Sequence, residues 1–190
     1  MMILFIIFWP LVTALALYAF RPANARVISF VSSLVELAAF LVIVVQFKSD
    51  EAGAWIYQAS WVPSLGISFS VGLDGISLLL VLLTTGLIPF IILSSFNSPT
   101  PRPANFYALI LLMQMALVGV FTALDGFLFY VFWEMALIPI YFICLIWGGE
   151  NKTPITFKFF VYTLTGSLFM LIALLYLYHQ TPGNHSFDIQ

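Results

Sequence analysis

Glu134 is the residue in this sequence best placed for chemistry, because it is a carboxylic acid inside a long apolar run, Gly126 to Trp147. If that run is a helix, Glu134 lies about 12 Å from one end of a rod about 33 Å long, at 1.5 Å per residue. Insertion scales put a charge at the centre of a membrane helix at about 2.5 to 3.5 kcal/mol, so a carboxyl kept at such depth is a functional candidate. A carboxyl balanced between the cost of burial and the pull of a facing Lys or Arg can load and release a proton. Tyr130 precedes it by four residues and Tyr141 follows it by seven. Both share its helical face and offer hydroxyls for a hydrogen-bonded path. Pro139 has no N–H for the carbonyl of Met135 and its ring crowds that carbonyl, so the helix bends and an acceptor is freed beside Glu134. The bland reading of the same residues is a structural Glu134 bonded to a neighbouring helix, with Pro139 only bending the rod.

Lys158 offers a positive group near the end of the next apolar run, and Tyr162 and Thr165 continue its face toward the membrane centre. It reads as a step in a proton path or as a cation snorkelling at a membrane surface. Glu36 lies in the middle of another run, with Ser32 and Ser33 one turn earlier as hydrogen-bond partners. It suits proton transfer, or a protonated carboxyl in a subunit contact. Asp74 and Asp125 each stand just before an apolar run, where a carboxylate accepts from first-turn N–H groups. His179 and His185 fall beyond the last run and read as exposed loop histidines rather than metal ligands. No metal or cofactor site is expected, and with Cys144 as the one cysteine this chain alone builds no disulfide, cysteine-ligated zinc or iron–sulfur centre.

The elements that must hold these residues follow from composition. Six Lys or Arg and eight Asp or Glu among 190 residues, with 63% apolar, exclude a soluble domain, a disordered chain and a nucleic-acid binder, which needs a basic face. Six segments reach the length of a membrane span: 1–20, 27–47, 75–96, 104–124, 126–147 and 155–178. Only Glu36, Glu134 and Lys158 place charge inside them. The expectation is an all-α polytopic membrane protein, a single membrane domain over 1–190, because backbone polar groups in lipid must be satisfied within each segment.

The first apolar run is followed by Ala23-Asn24-Ala25, which has the look of a signal-peptide cleavage site. The run is too long and lacks a preceding Lys or Arg, so a retained helix is expected. With the N-terminus outside, Arg21, Arg26, Arg102, Lys152 and Lys158 fall on the inner side and only Lys48 on the outer, so both ends of the chain are expected outside. Between the second and third spans, Trp55, Tyr57 and Trp61 precede Pro63 and Gly66, after which Ile67, Phe69 and Val71 alternate with Ser68, Ser70 and Gly72. That pattern predicts an outer-side strand pair about a Pro and Gly turn, its aromatics at headgroup depth. Asn97 to Pro103, with three prolines, is an inner turn.

Two stretches carry a family resemblance. The first is Trp61-Val62-Pro63, Gly66-Ile67-Ser68 and Leu73-Asp74-Gly75-Ile76-Ser77-Leu78-Leu79. The second is Asp125, Phe127-Leu128-Phe129, Phe132-Trp133-Glu134-Met135, Leu137-Ile138-Pro139 and Tyr141-Phe142, then Trp147-Gly148, Thr153 and Lys158-Phe159-Phe160-Val161-Tyr162-Thr163. Through these residues the chain resembles, over essentially its whole length, the subunit M family of bacterial proton-pumping NADH:quinone oxidoreductase, respiratory complex I.

The resemblance implies an antiporter-like subunit in which Glu134 matches the family's fifth-helix glutamate and Lys158 its sixth-helix lysine. In the family that glutamate pairs with a lysine on a seventh helix. Such subunits have about fourteen helices in two inverted repeats, so this chain is similar to the first six and stops within the first repeat, as a fragment or the product of a split gene. The implied role is proton translocation coupled to quinone reduction elsewhere in the complex, with no redox site in this chain. NADH, FMN, iron–sulfur clusters and quinone are expected in partner subunits. The expected partners are other membrane-arm subunits, neighbouring antiporter-like ones among them, and the lipid bilayer, with no nucleic acid. The expected location is the bacterial inner (plasma) membrane, both ends periplasmic. A subunit of a multisubunit cation/proton antiporter or membrane-bound hydrogenase is the alternative, and a non-transporting fragment the third.

Overall fold

Each apolar run folds as a helix because only a helix satisfies its backbone within one segment in lipid. The computed structural model describes residues 1–47, 55–97, 100–181 and 187. It contains α1 (Met2–Phe20), α2 (Ala25–Gln46), β1 (Tyr57–Val62), β2 (Ile67–Val71), α3 (Gly75–Ser94), α4 (Pro103–Thr122), α5 (Gly126–Trp147) and α6 (Lys152–Gln180). All six helices are long and apolar enough to cross a membrane. Lys48 and His185 lie outside the described residues.

The helix boundaries follow local chemistry. Asp74 starts α3 with a capping box: the Ser77 N–H donates to Asp74 Oδ1 at 2.6 Å, and the Asp74 N–H donates to Ser77 Oγ at 2.7 Å. Asp125 caps α5 through the N–H groups of Phe127 and Leu128, both 3.0 Å from Oδ1. Both aspartates are therefore caps, as their position before an apolar run predicts. α6 begins at Lys152, three residues ahead of its apolar run. Pro154 falls in the first turn, where its missing N–H has no intrahelical partner to lose.

The predicted strand pair is present. β1 and β2 pair antiparallel, Tyr57 opposite Val71 and Ala59 opposite Phe69, with an irregularity between Ser60 and Val62. One 3₁₀ turn over Pro63–Leu65 joins them, ending on Gly66 at φ 63°, a left-handed conformation that glycine takes without a Cβ clash. The hairpin is stitched to the α4–α5 connection: the Gly72 N–H donates to the Thr122 carbonyl at 2.8 Å, and the Leu124 N–H to the Ser70 carbonyl at 2.9 Å.

α4 is the central helix, packed against α1, α2, α3 and α5, whereas α6 packs on α5. Two apolar clusters fill the bundle. Toward the hairpin, Ile6 and Ile7 of α1, Phe40 and Ile43 of α2, Val81 of α3 and Val118 of α4 meet. Toward the opposite end, Ala14 and Leu17 of α1, Ile88 and Ile92 of α3, and Tyr107, Ala108 and Leu111 of α4 meet. Between the two clusters along their helices lie Glu36, Thr85 and Gln114, all fully buried.

Candidate functional site

The helix that carries Glu134 is positioned from both sides. At its start, Asp125 fixes the first turn. Alongside, Gly119 of α4 faces the Phe132 ring so closely that a Cβ there would overlap it, which lets α4 and α5 approach two residues from the glutamate. Pro139 is buried within α5, leaving the Met135 carbonyl without its usual donor on the residue after Glu134.

Glu134 is half-buried, and its Oε1 is enclosed with no hydrogen-bond partner. The Tyr130 phenol, one turn earlier, stands beside the carboxyl and also beside the Ser167 hydroxyl of α6. Ser167 is buried and donates to the Leu164 carbonyl at 2.9 Å. The site is thus an unsatisfied carboxyl oxygen at membrane depth, flanked by a phenol on its own helix and a hydroxyl on the next. Such a group can exchange a proton through small rotations of neighbouring hydroxyls. Tyr141 shares the helix but packs its ring on Phe160 of α6, centroids 5.1 Å apart.

Lys158 is placed differently from the expectation. The packed face of α6 runs through Thr156, Phe160, Thr163 and Ser167, at the 4, 3, 4 spacing of one helical stripe. Lys158, Tyr162 and Thr165 fall off that stripe and are exposed, Tyr162 at 77%. Along the helix axes, Lys158 and Glu134 are separated by about 10 Å, by the 1.5 Å rise. The structure therefore brings Ser167, not the Lys158 stripe, to Glu134. Ser167 carried no sequence signal beyond its place three turns from Thr156.

Glu36 also differs. Ser32 Oγ is paired with Thr13 Oγ1 at 2.8 Å, and Ser33 Oγ donates to the Phe30 carbonyl at 2.8 Å. Both serines are engaged elsewhere, and neither Glu36 oxygen has a hydrogen-bond partner. Gln114, equally buried on α4, has both side-chain polar atoms unpartnered. His179, in the last turn of α6, is exposed and packs its ring against Tyr178 at 5.6 Å.

Residues 123–189, which contain this site, match the family described as NADH:quinone oxidoreductase/Mrp antiporter, TM. A chain of respiratory complex I from Thermus thermophilus with bound NADH superposes with a TM-score of 0.87 at 29% identity, over 99% of this chain and 38% of that one. The chain is similar in sequence and fold to antiporter-like complex I subunits. F(420)H(2) dehydrogenase subunit M of Methanosarcina mazei is 42% identical over 165 residues, covering 85% of this chain and 33% of that protein. NADH-quinone oxidoreductase subunit M of Rickettsia conorii is 33% identical over 192 residues, covering 96% of this chain and 38% of that protein. The chain thus spans little more than a third of the length of these relatives. The six spans and the hairpin belong to a multi-pass membrane protein of this type, and the relatives are subunits of oxidoreductase complexes.

Proposed function

We propose that the chain belongs to a proton-translocating membrane-arm subunit of an NADH:quinone oxidoreductase-type complex. The observation that carries the reading is Glu134: a carboxyl oxygen enclosed at membrane depth without a partner, flanked by Tyr130 and Ser167. Glu134 takes a proton and loses it as a positive group approaches or withdraws, the local field switching its proton affinity. Tyr130 and Ser167 pass the proton along. Tyr141 and the Met135 carbonyl freed by Pro139 support the α5 side. Lys158 serves whatever covers the outer face of α6, rather than Glu134 directly.

Each charge moved against 100 mV costs about 2.3 kcal/mol, which in this reading comes from quinone reduction in partner subunits. Those subunits, neighbouring antiporter-like ones among them, hold the NADH, FMN, iron–sulfur clusters and quinone, and this chain holds none. The plasma membrane, with both ends of the chain outside, follows from the charge distribution about the spans. A multisubunit cation/proton antiporter is the second reading, favoured by the double description of the matching family. The subunits that copurify with the protein separate the two.

The deciding experiment is Glu134→Gln in the assembled complex. Gln keeps the size and hydrogen bonding but releases no proton. Electron transfer with pumping lost or severely reduced is the expected result, and pumping at the wild-type proton-to-electron ratio would reduce Glu134 to a structural role.

A further inference from the structure

The turns joining α1 to α2 and α3 to α4 bring two arginines together at the end of the bundle away from the hairpin. Arg21 and Arg102 wall a cavity of about 360 Å³, with Pro22, Pro103 and Asn105. Asn105 also lines a second cavity, of about 390 Å³, between α1, α4 and α5. Its lining is apolar: Ala14 and Ala108 are buried small side chains, while Leu15, Ile138 and Phe142 stand exposed around it. Along α4 it runs from Asn105 to Leu112, about 10 Å toward the membrane centre. A polar chamber at the membrane surface thus continues into a hydrocarbon-lined groove.

The charge of the chamber is uncompensated. The Arg21 guanidinium rests over the Tyr18 ring, 5.8 Å from its centroid, and among the described residues neither Arg21 nor Arg102 meets a carboxylate. Both arginines have left-handed backbone, φ 44° and 53°, which glycine takes more easily. The fold keeps guanidinium groups at two positions where the backbone alone favours another residue.

We propose that this is a binding site for an anionic phospholipid of the adjoining leaflet. The phosphate diester lies between Arg21 and Arg102, which present fixed forks of N–H donors. One acyl chain enters the groove past Asn105 and Tyr18, against Ala14 and Ala108. A free phosphate would use the arginines and leave the groove empty. A zwitterionic lipid would fill the groove but leave the net charge of the chamber in place.

The test uses the intact protein with its accompanying subunits, in phosphatidylcholine nanodiscs containing a minor fraction of phosphatidylglycerol. Native mass spectrometry counts the lipids retained after release. Wild type is expected to retain phosphatidylglycerol above its bulk ratio. R21Q/R102Q is expected to lower that enrichment roughly 30-fold, at about fivefold for each arginine near a membrane surface. R21K/R102K keeps most of it, and guards against an assembly defect in the glutamine variant. Leu109→Trp, which narrows the groove, lowers retention of both lipids with the arginines intact. No enrichment in wild type, or equal enrichment in R21Q/R102Q of unchanged assembly size, overturns the site. Loss of phosphatidylglycerol on adding millimolar inorganic phosphate overturns the lipid and leaves a phosphate site.

Discussion

The Asp125 carboxylate joins Ser68 of the hairpin to the first turn of α5. Its Oδ2 accepts from the Ser68 N–H at 3.0 Å and from Ser68 Oγ at 3.3 Å, while Oδ1 accepts from Phe127 and Leu128. Asp125 is fully buried, so these donors have no water to turn to if it is removed. One side chain therefore sets both where α5 starts and where the hairpin sits over it.

Asp125→Ala is expected to cost about 2 to 4 kcal/mol, because hydrogen bonds to a charged group and buried N–H groups left alone are each worth more than about 1 kcal/mol. Ser68→Ala should cost much less, since it keeps the N–H. Thermal unfolding of the two variants compares them, and equal losses would show that Asp125 acts only as a cap.

Gly119→Ala should shift Phe132 and destabilise the protein by about 1 to 3 kcal/mol, the usual range for overpacking. Phe132→Leu in the same chain should recover part of that loss. Melting temperatures of the single and double variants test the coupling, and additive losses would break it.

Glu36→Gln is expected to leave pumping near wild type in the assembled complex. Glu36 sits fully buried in the α1–α4 packing, away from Tyr130 and Ser167, and a neutral amide replaces a carboxyl there at little cost. Glu36→Lys should prevent assembly, because it buries an unpaired cation. A Glu36→Gln complex that assembles and reduces quinone but no longer pumps would place Glu36 on the proton path.

Acid should weaken the start of α3 through Asp74. The backbone N–H of Ser77, and then its side chain, hold the Asp74 carboxyl below the usual carboxylate range. That contribution is present above the unfolded aspartate's value of about 3.9 and is lost as pH falls through the lower folded value. Asp74→Asn removes the titrating group, so the melting-temperature gap between wild type and variant should close as pH falls below about 4. A gap that is constant with pH would sink the assignment.

Orientation is tested by labelling. With Cys144 replaced by Ala, a cysteine at position 102 should react with a reagent supplied from the inner side only, and one at Ala23 likewise. Reaction of either from the outer side alone would reverse the topology.

The sequence by itself determined the six spans, the strand pair, the two aspartate caps and the depth of Glu134. Each depends on local rules: a length of apolar chain, alternation about a Pro and Gly turn, a carboxylate before a first turn, and a fixed rise per residue. The tertiary structure decided which way each helix faces. In a bilayer the lipid-facing and protein-facing sides are both apolar, so the sequence pattern does not orient the helix. α6 shows the consequence: the Lys158, Tyr162 and Thr165 stripe is as regular as the Thr156, Phe160, Thr163 and Ser167 stripe, and only docking against α5 buried the second. For the same reason Ser32 and Ser33, one turn from Glu36, took Thr13 and the Phe30 carbonyl as partners instead. The Asp125–Ser68 bond spans 57 residues of chain, and it exists because the hairpin folds back over the end of α5, a placement no local pattern encodes.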